Sequence, residues 1–283
     1  KLYYNNSQKL ATTATGIDVT GTAVTDGLTV AGNLSVDGGT IKLDGNYPTG
    51  TANVALGNAA LDSGSLSGNY NTALGGDAFT NLTTGNNNLA VGAYAGQNHT
   101  TGSNNVFVGE EAAVGNTAGS SNTAIGRTAL YSNTTASNNT AVGYQAGYAN
   151  TTGSSLVATG HTALRQNSTG SSNVASGYAA MYSNTTGSNN TGLGHNALHL
   201  NTTASNNTAV GHEASLSNTT GTENTSIGQG ALRTTTTGNY NSATGNGALR
   251  ANTTGSSNVA NGVAALFSNT TASNNTAVGY QAG

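Results

Sequence analysis

The side chains best equipped for chemistry in this sequence are tyrosines, histidines and arginines, and they recur in two phases spaced seventeen residues apart. One phase holds Glu110, Arg127, Tyr144, His161, Tyr178, His195, His212 and Tyr280. The other, four residues later, holds Tyr131, Tyr148, Arg165, Tyr182, His199, Arg233, Arg250 and Phe267. Aromatic and Arg side chains dominate recognition patches. The pattern therefore predicts a surface- or glycan-contacting stripe made of Tyr144, His161, Tyr178, His195 and His212 beside Tyr148, Arg165, Tyr182 and His199. The competing reading is that these are outward positions where bulk is tolerated. His195 and His212 share a phase, with His199 and Glu213 near them, and imidazoles so placed can share a metal ion. The adjoining repeats put no carboxylate in that phase, and neither a metal nor any other cofactor is expected.

Other chemistries find less support. There is no cysteine, hence no disulfide framework and no thiolate site. No Ser/His/Asp grouping recurs in a spacing that catalysis uses. The Gly-rich phrases lack the Lys of a phosphate loop, and six scattered carboxylates in the repeats cannot build calcium coils of the Gly-Asp type. Triplets such as those at Asn133, Asn150 and Asn184 match the N-glycosylation pattern, but they follow from the repeat itself. No enzyme activity is expected.

The elements that must carry these side chains are set by the repeat. Its clearest copy runs Asn139-Thr-Ala-Val-Gly143-Tyr-Gln-Ala146 and continues to Ser155. The closing glycine recurs fourteen times from Gly57 to Gly279, at one interval of 18 residues and twelve of 17. A register held so strictly is the mark of a solenoid, in which each unit buries its face only against the next. Leu, Ile, Val and Phe supply 44 of 283 residues, too few for a conventional core, yet only 17 residues are charged, which argues against disorder. Gly, Asn and Thr are weak helix formers. An all-β parallel solenoid of seventeen-residue coils is predicted over 49–283, two strands and two turns to a coil. The positions three and one before each glycine (Thr140/Val142, Val157/Thr159) are assigned to the inner face. Ser242/Thr244, which lack an aliphatic there, are the expected weak point. Asn and Thr at fixed phases should form ladders along the stack. Alanine stands three residues after every glycine, as at Ala129, Ala146, Ala163, Ala180 and Ala197. These positions are expected to mark close packing or a trimer contact.

Residues 1–48 lie outside the repeat. Short alternating apolar pairs (Leu2/Tyr4, Ile17/Val19, Leu28/Val30, Leu34/Val36, Ile41/Leu43) separated by turn formers predict a succession of short strands. Two apolar side chains per strand barely fill a core in one chain, so three intertwined chains are expected, with the boundary at 45–52 around Pro48. Seven basic residues in all make nucleic acid a poor partner, and no apolar run is long enough to span a membrane. No leader is visible at Lys1, and the last copy stops in mid-repeat. The chain therefore reads as a piece of a longer protein.

The copies Asn122-Thr-Ala-Ile-Gly126 and Asn139-Thr-Ala-Val-Gly143, each followed by x-x-Ala, resemble the parallel β-roll repeats of trimeric autotransporter adhesin heads, whose repeat is shorter. The opening Leu2-Tyr-Tyr-Asn-Asn-Ser-Gln-Lys-Leu10 with Thr15-Gly-Ile-Asp-Val19 is similar to segments of bacteriophage tail-fibre proteins. The resemblance implies a homotrimeric, elongated fibre on a virion or an extracellular surface, meeting a host cell through this or an adjoining domain. A structural fibre segment is the leading expectation, and an adhesin head binding surfaces or glycans is the alternative. An ice-binding solenoid is a third reading, weakened because the paired threonines fall in turns.

Overall fold

The computed structural model describes residues 2–4, 7–13, 16–19 and 51–283. The chain divides into two compact units, Lys1–Lys42 and Leu43–Gly283. In the first, β1 (Leu2–Tyr4), β2 (Ser7–Thr13) and β3 (Gly16–Val19) pair antiparallel in that order. The pairs Leu2/Tyr4 and Ile17/Val19 fall on β1 and β3. The polar β2, with Leu10 and Ala11 its only apolar residues, carries no such alternation and was not legible. The strands expected at Leu28/Val30, Leu34/Val36 and Ile41/Leu43, and the boundary at Pro48, lie outside the described residues.

The second unit is a parallel β-solenoid. Fourteen three-residue strands, from β4 (Val54–Leu56) to β17 (Thr276–Val278), form one sheet in strict sequence order. Each rung sits in register on the next, as Val157 on Val174 and Ala158 on Ala175. The single 18-residue step places Val54 on Thr72, and its additional residue is accommodated in the loop near Gly64, where a Cβ would meet nothing within 4 Å.

Three expectations need correction. First, a coil has one strand. The segment after the glycine is a series of turns: Ala146, Tyr148 and Asn150 N–H donate to the carbonyls of Gly143, Gln145 and Gly147 at 3.3, 3.3 and 3.1 Å. The intervening amides of Gln145, Gly147 and Ala149 donate instead to Arg127, Ala163 and Arg165 in the coils on either side. The first two of these turns need φ > 0 at their third residue, and Gln145 (+54°) and Gly147 (+60°) supply it. Ladder bonding thus continues where the backbone is not extended.

Second, the strand faces are reversed. Ala141 is buried, while Thr140 and Val142 on either side of it are half-exposed, and Ile125 is 39% exposed. The cause is the thinness of the coil. A Cβ at Gly147, in the turn run, would lie 3.8 Å from the Ala141 Cβ, and a Cβ at Gly192, on the strand, would lie 2.9 Å from Met181 Cγ. The interior holds one large side chain from the turn run, such as Leu130, Leu164 or Met181, and only a small one from the strand. Phe107, large on the strand side, is matched by Gly96 and Ala113 in the turn runs of the preceding coil and its own, conserving volume.

Third, Ser242 and Thr244 are outward-facing, and their coil keeps a buried Ala243. The apolar core breaks one coil earlier. Ser215 replaces the usual leucine, and its hydroxyl lies 2.9 Å from that of Ser226, between clusters ending at Ala214 and beginning at Ala231.

The closing glycine is fixed by backbone approach. At Gly143 (φ +133°) a Cβ would lie 2.6 Å from the Gly160 carbonyl oxygen, and the same clash with the next coil recurs at Gly92, Gly109 and Gly126. Only glycine combines that φ with that clearance. Two columns of buried asparagine close the corners of the coil. Asn150 Nδ2 donates to Asn133 Oδ1 (2.8 Å) and to Gly153 O (2.9 Å). Asn122 Oδ1 accepts the Asn139 backbone N–H (3.0 Å), whose side chain reaches Gly153 O (3.0 Å). Thr134 and Thr151 hydroxyls donate to the carbonyls one coil on, at 3.0 and 2.9 Å. The expected ladders are present.

Candidate functional site

The two ring-bearing phases lie on the turn run. Tyr144, His161, Tyr178, His195 and His212 stack in consecutive coils with ring centroids 5.1, 5.2, 5.0 and 5.1 Å apart. In-register coils place equivalent Cα atoms one strand spacing apart, about 4.8 Å, so ring stacking needs no further device. The second column is more deeply seated. Tyr131 stacks on Tyr148 at 5.0 Å, and the Arg165 guanidinium lies between the rings of Tyr148 and Tyr182 at 5.4 and 5.6 Å. Tyr182 in turn stacks on His199 at 5.3 Å. Arg165 Nε donates to Gln145 Oε1 at 2.8 Å and its Nη1 donates to Tyr182 Oη at 3.1 Å.

This geometry limits what the stripe can do. Glycans bind aromatic stripes through ring faces, and here the faces of interior members are spent on their neighbours. What reaches solvent is a row of edges: phenol hydroxyls and imidazole nitrogens. His195 and His212 are likewise parallel to within 22°, so their equivalent nitrogens stand a full coil apart. Among the described residues no group of three or more His, Cys, Asp or Glu is arranged to hold a metal. Further along the second column, Arg233 Nε pairs with Glu213 at 2.7 Å, and that hydrogen bond holds the Glu213 carboxyl below its ordinary pKa.

The alanines Ala129, Ala146, Ala163, Ala180 and Ala197 are wholly buried inside the coil stack. They pack closely against their own chain and cannot touch another, so the expectation of a trimer contact there is overturned. Asn133, Asn150 and Asn184 are also buried, with their amides engaged along the column, which closes them to glycosylation in the folded rod. No helix among the described residues is long and apolar enough to cross a membrane.

Searches against protein-family models, curated proteins and solved structures find no match.

One group with titratable chemistry was missed in the sequence. His99 stands at the phase of the Asn133–Asn150 column, buried against Phe79 and Phe107 at 5.5 and 5.7 Å. Its Nε2 donates to Gly102 O (2.9 Å), and its Nδ1 accepts from Asn116 Nδ2 (2.8 Å). Both nitrogens are satisfied by the neutral ring, and burial lowers its pKa from 6.5 to about 4. The available signal was its phase: seven residues after Gly92, where later copies carry Asn116, Asn133 and Asn150. The other feature missed is the outer face of the sheet, hidden by the reversed assignment of strand positions.

Proposed function

We propose that this chain is a structural rod segment of a fibre, a homotrimeric spacer that carries a host-attachment function at a distance from its base, on a phage tail fibre or an extracellular surface. The observation that carries the reading is the unbroken ladder of fourteen in-register rungs. Every step from coil to coil repeats the same backbone bonds, such as Gly143 N–H to Ile125 O and Gly160 N–H to Val142 O, both 2.8 Å. A stack of this kind extends load-bearing hydrogen bonds along one axis, which is what a spacer requires and a catalyst does not. Fourteen rungs at the ordinary strand spacing make a rod of about 65 Å. Electron microscopy of the purified chain should show particles with a straight arm of that length. Compact particles lacking such an arm would overturn the reading.

A further inference from the structure

The outer face of the sheet is the surface that the proposed spacer role leaves unexplained. The first and third residues of the fourteen strands put 28 side chains on it: 16 are Val, Leu or Ile, 9 are Thr, and none is charged. Several aliphatics are well exposed in the single chain, Leu56 at 54% and Ile227 at 43% among them. Soluble monomers rarely leave contiguous apolar patches larger than a few hundred Å². This face measures about 65 Å by about 10 Å, roughly 650 Å², before side-chain relief is added. A standard stable interface buries about 800 Å² on each partner. The face therefore approaches the size of a lasting contact, and its lack of charge is that of an interface core.

We infer that the face is covered by further copies of this chain, aligned parallel about the rod axis. This rests on the homotrimer reading and assigns the contact it needs. Two observations select the occupant. The face carries no charge for an oppositely charged partner to read. Its side chains also recur once per coil over fourteen rungs, so a partner must present the same repeat over the same length, as a second copy does. The association is closed and symmetric, each chain offering the same patch.

The test compares wild type with Val142→Lys/Val210→Lys on the face and with Thr169→Lys/Thr186→Lys on exposed connector turns. Light scattering should give three chain masses for wild type and for the connector variant. The face variant should give one chain mass with an unchanged β-type circular dichroism spectrum. Because the chain has no cysteine, a Val142→Cys chain should form disulfide-linked species on mild oxidation, while Thr169→Cys should stay single. That arm decides the matter if the lysine variant fails to fold. A wild-type trimer whose face variant stays trimeric, and whose Val142→Cys chains do not link, overturns the face and leaves the trimer reading standing. A monomeric wild type overturns the trimer reading itself and the face with it. Thermal hysteresis in such a monomer would assign the face to ice.

Discussion

A single residue out of pattern is informative in this chain because its neighbours state what belongs there. Thr235 occupies the asparagine phase, and the preceding Asn218 is left with a buried Oδ1 that finds no hydrogen-bond partner among the described residues. On its other side Asn252 Nδ2 reaches the Thr235 hydroxyl only at 3.5 Å. Thr235→Asn should restore the column, donating to Asn218 and accepting from Asn252. Satisfying a buried acceptor contributes about 1–2 kcal/mol, so the thermal midpoint should rise by a few degrees. An unchanged or lower midpoint would show that the column adds nothing there. His99 is the opposite case, a titratable ring in an amide's place. Its folded pKa is about 4 against 6.5, so between these values the unfolded chain binds a proton that the folded chain refuses. The stability is fully present above pH 6.5 and is lost as pH falls toward 4, on the order of 3 kcal/mol in all. Denaturant titrations across that window should show the decline in wild type and a smaller one in His99→Asn.

At the level of the element, the period and the strand were legible and the orientation was not. Alternation of Thr140, Ala141 and Val142 identifies a strand with two unlike faces but is silent on which one points inward. The usual rule sends the larger apolar side chains inside. It fails here because the turn run already supplies Leu130, Leu164 or Met181 opposite the middle of the strand, where only a small residue such as alanine fits. The missing second strand has a related cause. Leu130 and Leu164 hold φ of +50° and +51°, values that propensity assigns to glycine, because burial of the side chain offsets the unfavourable backbone. The same reasoning locates the real interruption of the core. Ser215 and Ser226 bond each other where adjacent coils carry Leu198 or Leu232 against alanine. Replacing both partners of a buried hydrogen bond by apolar groups of fitting shape is neutral or stabilising. Ser215→Leu/Ser226→Ala should therefore join the two apolar clusters and raise the denaturant midpoint by an amount equivalent to about 1–3 kcal/mol. Either single change should do less: Ser226→Ala takes away the partner of the Ser215 hydroxyl, and Ser215→Leu leaves the polar Ser226, still bonded to Thr208 O, against the new leucine.

For the molecule as a whole, the consequence of the ladder is that coils are interchangeable and partial coils are not. Each coil meets its neighbours through the same backbone bonds, so its stability is a nearest-neighbour quantity. Removing 156–172 places Thr140 of β9 (Thr140–Val142) on Val174 of β11 (Val174–Ser176), a pairing that matches Val157 on Val174 in kind. The glycine column, the buried alanines and the Thr134-type carbonyl bonds all re-form. The asparagine column at the start of the strand improves, because Asn139, whose Oδ1 accepts the Leu156 N–H at 3.0 Å, then meets Asn173 in place of a leucine. The 156–172 deletion should therefore shorten the rod by about 4.8 Å by small-angle scattering and leave the melting midpoint within a few degrees of wild type. Removing 156–164 instead brings the buried Asn139 phase against the turn run, faces the glycine backbone with side chains it cannot clear, and exposes both halves of the core. That chain should lose its cooperative transition. Equal tolerance of both deletions would mean that the coils are held by something looser than register.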